Sequence, residues 1–244
     1  MYRWWGSITS NSWCGHLPRD VGVVLVAAGR GERLGGVRKQ YRPIAGVPML
    51  LHALRPFVAH PEVLHAVIAL PPEDVAAPPG FLADLAGPAL TLVGGGTERS
   101  DSVAAGLRAL PAACTVVLVH DAARPFPDSE VIAAVIQEAR AGWGAVAAVP
   151  VTDTVKEVAE GPVRRVVRTV PRHALWRAQT PQGFPRELLA AAHARGRPAG
   201  AATDDATLVE RIGGEVRIVP DSPRNMKVTT AEDLEWAELW AARR

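Results

Sequence analysis

Residues 21–40 read VGVVLVAAGRGERLGGVRKQ, an uncharged, β-branched run that empties into glycines and then into cations. Residues 23–26 have the composition of a central parallel strand, buried by helices on both faces rather than alternating with polar residues. Where the chain leaves that strand, Ala27, Ala28, Gly29 and Gly31 carry almost no side chain, so backbone N–H groups can approach a ligand closely. Arg30, Arg33, Arg38 and Lys39 follow within one loop. Cations at that density neutralise a polyphosphate and the charge that develops when its bonds change. The glycine spacing matches neither the P-loop nor the dinucleotide fingerprint.

The same rhythm recurs downstream. Residues 63–70, 90–93 and 115–119 read as further strands. Pro48 opens a helix with Leu50, Leu51, Leu54 and Phe57 on one face, and a second helix, beginning near Ser100, carries Val103, Ala104 and Leu107. Strands alternating with helices predict an α/β fold, a Rossmann-like, mostly parallel sheet flanked by helices. Ligands of such sheets bind at the carboxyl ends of the strands, and Gly29, Gly94 to Gly96 and Asp121 all follow strands at that edge.

Residues 149–170 break the rhythm by alternating polar and β-branched residues around a Glu160-Gly161-Pro162 turn, the pattern of a two-stranded hairpin. An isolated hairpin is marginal in water. A β-arm over about residues 150–171 is therefore expected to project from the sheet and to pack against another surface, most simply a second subunit of a homodimer, the alternative being a hairpin folded back on its own domain. Helices are expected over 185–195 and 203–212, a strand over 216–219, and a last helix from Thr230, where Thr230 and Asp233 have the spacing of a capping box.

With 244 residues and 48% hydrophobic content, the chain can bury one sizeable core. Its 27 Lys+Arg nearly balance 25 Asp+Glu, so no nucleic-acid partner is expected. Cys14 and Cys114 are far apart, which supports neither a disulfide framework nor a zinc site and fits a reducing cytoplasm. Seven histidines form no HExxH pattern, so any metal is expected to arrive with a phosphate ligand. No run approaches the roughly 20 apolar residues that span a membrane, and no membrane partner is expected. Residues 1–20, with Trp4, Trp5 and Trp13 among Ser, Asn and Gly, are expected to be a disordered tail before a single domain over 21–244.

Five segments, in order, carry a resemblance: AAGRGERL with RKQY, GGGTERSDSV, VHDAARP, LWRAQTPQGF and NMKVTT. Together they resemble the 2-C-methyl-D-erythritol 4-phosphate cytidylyltransferases, nucleotidyltransferases of isoprenoid-precursor biosynthesis. The resemblance covers roughly residues 21–240 and implies a reaction of CTP with a sugar-alcohol phosphate, with Mg²⁺, releasing pyrophosphate. It implies a nucleotide cradle at Ala27, Ala28 and Gly29, and cytosine contacts at Gly95, Gly96 and Ser102. Arg33 and Lys39 would stabilise charge on the triphosphate. Asp121 would face ribose and acceptor, with Arg124 partnering a phosphate or Asp121 itself. Thr180 and Thr203 would donate hydroxyls at the acceptor site, Lys227 would bind phosphates, and Arg172 would reach the acceptor phosphate from the partner subunit. One departure is Pro171, where the family has an acidic residue before that arginine.

Ribitol 5-phosphate cytidylyltransferases look similar, so ribitol 5-phosphate or another polyol phosphate stays open as the acceptor. A guanylyl- or uridylyltransferase and a non-catalytic nucleotide-binding scaffold on the same fold are the remaining alternatives.

Overall fold

In the computed structural model, residues 17–29, 38–83, 85, 87–195 and 203–243 are described. In chain order the elements are β1 (Val21–Val26), β2 (Pro43–Ile44), β3 (Val47–Pro48), α1 (Met49–Val58), β4 (Val63–Leu70), α2 (Pro72–Ala76), α3 (Gly80–Ala83), β5 (Leu90–Gly94) and α4 (Arg99–Ala109). They continue with β6 (Val116–Asp121), α5 (Ser129–Arg140), β7 (Gly144–Pro150), β8 (Val155–Val158), β9 (Val166–Val170), β10 (Trp176–Pro185), α6 (Arg186–Ala194), α7 (Asp205–Arg211), β11 (Val216–Pro220) and α8 (Ala231–Ala241).

Seven strands form one sheet in the order β11-β7-β10-β6-β1-β4-β5. β1 runs parallel to both its neighbours, as do the pairs β4–β5 and β7–β11, whereas β10 is antiparallel to β6 and β7. Period-two alternation splits β1 between two cores. Val23 and Leu25 pack with Leu54 and Phe57 of α1 and Ile132 and Ile136 of α5. Val24, on the other face, packs with Val103 and Leu107 of α4, Leu189 of α6 and Val209 of α7. The mostly parallel sheet flanked by helices is thus as the sequence predicts.

The sequence pattern left α5, β7 and β10 unassigned. β10 holds Gln179, Thr180 and Gln182, buried polar residues, and two prolines, a composition that does not read as a central strand. It is central all the same. Its register slips between Ala178 and Gln182, and residues 179–181 bulge out of the ladder beside the carboxyl end of β6. The hairpin is also shorter than its pattern. Val149 and Pro150 complete β7, and β8 pairs only with β9 as a separate ribbon, turning at Gly161 with φ +141°. Val163, Val166 and Val167 on this arm are 68%, 60% and 59% exposed.

Two residues of the expected tail contact the domain. Arg19 Nε donates to the Val63 carbonyl (3.0 Å), and Asp20 accepts from Thr115 Oγ1 (2.7 Å) and Arg140 Nη2 (2.6 Å). Both residues belong to the folded domain because they close the entry to β1 against β4, β6 and α5. Leu17 is 61% exposed, and residues 1–16 of the expected tail lie outside the described residues. Among the described residues, no helix is long and apolar enough to cross a membrane.

Candidate active site

The carboxyl edge of the sheet brings three segments together. Ala27 at the end of β1 donates its N–H to Ala69 O (2.9 Å) and receives Gln40 Nε2 at its carbonyl (2.8 Å). Gln40 lies in the 3₁₀ turn Lys39–Tyr41, so this bond seats Lys39 beside the loop that leaves β1. The Arg38 guanidinium pairs with Glu73 and, at 3.3 Å, with Asp74, which also accepts from Tyr41 Oη (2.6 Å). Burial, then the Asp74 contact, raises the Tyr41 hydroxyl far above its ordinary value. Across the edge, a Cβ on Gly95 would lie 2.3 Å from Ala28 Cβ and 2.7 Å from Ser102 Oγ, and one on Gly96 would lie 2.2 Å from Asp101 Cβ. Only glycine lets these segments approach so closely. The Ser102 hydroxyl accepts from Gly96 N (3.2 Å), and Glu98 with Asp101 caps α4.

Beside this edge lies a cavity of about 180 Å³ lined by charge and amide. Asp121 ends β6 at its centre. Its Oδ1 accepts from Arg99 Nε (3.1 Å), and its Oδ2 accepts from Lys227 Nζ (2.7 Å). Arg99 Nη1 in turn donates to Asp205 Oδ2 (2.6 Å), whose Oδ1 meets His193 Nε2 (3.0 Å). Burial alone would raise the Asp121 carboxyl, but Arg99 and then Lys227 outweigh it and hold the group well below the usual carboxylate range. Burial likewise opposes charge on Arg99, and Asp205 and Asp121 more than restore it.

Two further knots fix the frame. His120, fully buried, has its pKa pushed down to about 4, chiefly by desolvation. Its ring is therefore neutral near pH 7. Nε2 donates to Arg124 O (2.9 Å), which leaves Nδ1 to accept the Thr180 hydroxyl proton (2.9 Å), while Thr180 Oγ1 accepts from Asp121 N (3.1 Å). Asn225 Nδ2 donates to Thr180 O and to Asp221 Oδ2 (2.6 Å each), and its carbonyl receives Arg124 Nη1 (2.8 Å) and Gln179 Nε2 (3.0 Å). One asparagine thus ties the β10 bulge, the turn after β6 and the loop carrying Lys227. On β10, Gln182 accepts the Asp205 and Ala206 N–H groups (3.1 Å each) and seats α7.

Arg99 Nη2, Arg124 Nε and Gln179 Oε1 are buried without a hydrogen-bond partner among the described residues, and all three side chains line the cavity. Unpaired guanidinium donors at a cationic cavity fit a phosphate.

The profile of the 2-C-methyl-D-erythritol 4-phosphate cytidylyltransferases matches residues 21–243, nearly the whole chain. The chain belongs to this family. A 2-C-methyl-D-erythritol 4-phosphate cytidylyltransferase of Salinibacter ruber is 45% identical, covering 89% of this chain and 92% of the relative. A bifunctional enzyme IspD/IspF of Solidesulfovibrio magneticus is 48% identical over 87% of this chain, which spans only 55% of that longer protein. The crystal structure of the 2-C-methyl-D-erythritol 4-phosphate cytidylyltransferase from Thermus thermophilus superposes with a TM-score of 0.74 at 35% identity, covering 90% of this chain and 98% of the other. Members of the family are cytidylyltransferases, so the chain falls in the nucleotidyltransferase class.

Of the residues that resemblance to the cytidylyltransferase family singled out, Asp121, Arg124, Thr180, Thr203 and Lys227 meet at the cavity. Ala27, Ala28, Gly29, Gly95, Gly96 and Ser102 lie in the loops that leave β1 and β5 and in the first turns of α4. Arg33 lies outside the described residues. Arg172 is exposed at the base of the arm, bonded to the Thr152 carbonyl, and is not among the residues lining the cavity. Two details refine the cytidylyltransferase expectation, in which Arg124 partners a phosphate or Asp121 itself. Arg124 does not pair directly with Asp121: Arg99 and Lys227 hold both carboxylate oxygens, and Arg124 turns to the Asn225 carbonyl. The Thr180 hydroxyl proton is committed to His120, so the side chain that lines the cavity offers it no proton.

Sequence reasoning passed over Arg99, Asn225, Gln179, Gln182 and Asp205. A signal existed in residues 179–183, QTPQG, whose polar character between apolar strands marks a strand buried for its contacts rather than its hydrophobicity.

Proposed function

We propose that the chain transfers CMP from CTP to 2-C-methyl-D-erythritol 4-phosphate, giving 4-diphosphocytidyl-2-C-methyl-D-erythritol and pyrophosphate, in the non-mevalonate route to isoprenoid precursors. Family membership supports the reaction. The observation that carries the site is the cavity around Asp121, where Lys227 stands beside the unpaired donors of Arg99 and Arg124. In this reading the acceptor phosphate occupies that cavity, and CTP lies along the Ala27–Gly29 and Gly95–Gly96 loops with Ser102 near its base.

An acceptor phosphate oxygen attacks the α-phosphorus in line, a new P–O bond forms, and the bond to the β-phosphate oxygen breaks to release pyrophosphate. A phosphate monoester has a second pKa near roughly 6 and is largely dianionic at neutral pH, so no strong general base is required. Lys39, seated by the Gln40 bond, and Arg33 neutralise the triphosphate as charge moves to the leaving group.

Both Asp121 oxygens are engaged by cations, and among the described residues no group of three or more His, Cys, Asp or Glu is placed to hold a metal. Mg²⁺ is expected to enter as the CTP complex, carried mainly by the triphosphate. The unpaired ribbon of β8 and β9, with its exposed valines, supports a homodimer in which Arg172 reaches the partner's acceptor site. A cytoplasmic setting accords with the two widely separated cysteines.

The test is pyrophosphate release from purified protein with CTP, Mg²⁺ and each acceptor in turn. The expected order of kcat/KM puts 2-C-methyl-D-erythritol 4-phosphate ahead of ribitol 5-phosphate. A reversed order overturns the acceptor, and no release with any acceptor overturns the reaction.

A further inference from the structure

Asp121 is held by two cations of different character. Lys227 is a single ammonium on a flexible stem, with 43% of its side chain exposed, and contributes one contact to Asp121 Oδ2 at 2.7 Å. Arg99 is planar and much less exposed, and it is gripped from both sides, by Asp121 at 3.1 Å through Nε and by Asp205 at 2.6 Å through Nη1. Asp205 is itself fixed. Its carboxylate meets His193 from α6, and its backbone N–H is bonded to Gln182 of β10. Arg99 therefore cannot follow a ligand without abandoning two carboxylates, whereas Lys227 gives up a single contact.

We propose that Arg99, locked by Asp205, keeps Asp121 oriented and ionised on its own, in addition to presenting its unpaired Nη2 to the cavity, so that Lys227 is released from Asp121 to the incoming acceptor phosphate. This rests on reading the cavity as the acceptor site. In the free protein Asp121 is neutralised twice and the cavity stores a spare cation. When a dianion enters, Lys227 moves to it, and the Asp121–Arg99–Asp205 line stays in place.

The charges around Asp121 are consistent with this division. Arg99 arrives from α4, Lys227 from the loop before α8, and Arg124 from the turn after β6, while β10 brings the neutral Ala178, Gln179, Thr180 and Gln182, and its Arg177 acts on Arg124. His120, next to it on β6, is neutral near pH 7. Asp205 faces Arg99 and His193, and Asp204 also lines the cavity. Arg99 is thus the closest fixed cation, and the guanidinium fork suits a bridge between two carboxylates as a lysine would not.

The experiment titrates Asp121 by NMR in substrate-free protein carrying ¹³Cγ-labelled aspartate, with Asp121→Asn assigning the resonance, and pairs it with steady-state kinetics. In Lys227→Met, Asp121 is expected to titrate still below the ordinary carboxylate value of about 3.9. In Arg99→Gln it is expected to titrate at least about one pH unit higher than in the wild type. Without Arg99, Lys227 becomes the principal counter-charge and is retained, so the KM for the alcohol phosphate rises about tenfold or more while the KM for CTP is little changed. Arg99→Lys, which keeps charge but cannot bridge both carboxylates, is expected to restore the Asp121 titration in part.

The proposal is overturned if Asp121 moves in Lys227→Met as far as in Arg99→Gln, or if the Arg99 variants lower only the melting temperature. Should Arg99→Gln not fold, the Lys227→Met titration decides, because a return of Asp121 to about 3.9 or above in that variant makes Lys227 the residue that keeps it ionised. Wild-type pyrophosphate release separately tests the reaction on which the reading of the cavity rests.

Discussion

Gly95 and Gly29 look alike in the sequence and make opposite demands on a side chain. A methyl group at Gly95 would press on Ala28 Cβ, which is fixed to backbone and cannot swing away, whereas a Cβ at Gly29 meets nothing within 4 Å among the described residues. Gly95→Ala is therefore expected to cost about 1–3 kcal/mol by overpacking and to disturb the loop that meets CTP. Gly29→Ala should leave stability within about 0.5 kcal/mol. If Gly29 lies under the nucleotide, its alanine variant raises the KM for CTP with the melting temperature unchanged. Urea unfolding and CTP kinetics on the two variants check both statements, and equal losses of stability would contradict the steric account.

At the scale of elements, the arm and the β10 bulge carry the site's two unusual features. Arg172 stands at the base of the arm, away from the cavity of its own chain. Mixing Arg172→Ala with Lys39→Ala, each expected to lose roughly a hundredfold or more in turnover, should restore activity through one composite site per heterodimer. No recovery after proven subunit exchange would mean that both residues serve one chain. The sequence made the apolar architecture legible, because β1, β4 and β6 are rich in Val, Leu, Ile and Ala, and Asp121 and Lys227 sit in compact motifs. It left β10 hidden. That strand is central because Gln179, Thr180 and Gln182 hydrogen-bond to Asn225, His120 and α7, and hydrophobic periodicity carries no signal for burial driven by hydrogen bonds. Arg99 was hidden for a related reason. Its partners Asp121 and Asp205 are distant in sequence, and only the fold brings them together.

Three buried titratable groups, His120, Asp121 and Asp205, lie at the carboxyl edge of the sheet, and their protonation contributes to acid unfolding. His120 is neutral in the folded protein with a pKa of about 4, against 6.5 when unfolded. Its contribution is complete above pH 6.5 and is lost as pH falls toward 4, because the unfolded chain takes the proton first. The difference amounts to about 3 kcal/mol. His60 and His65, lowered chiefly by burial, act in the same direction. Asp121 and Asp205, held below their ordinary values, extend the loss below pH 3.8. Urea unfolding at pH 7.5 and pH 4.5 should differ by about 2 kcal/mol or more, and equal stabilities at the two values would contradict the burial of a neutral His120.

The antiparallel β10 also has a bearing on how the protein is made. On the ribosome, β1, β4, β5 and β6 can pair as soon as Asp121 has emerged, but the outer edge of β6 waits for Trp176 and beyond. During that interval a buried-type strand shows an open edge, the condition under which nascent chains pair wrongly with one another. Asp121 is synthesised long before Asp205 and Lys227, so the nascent sheet precedes its own chemistry, and the cavity is completed only once residue 227 has arrived.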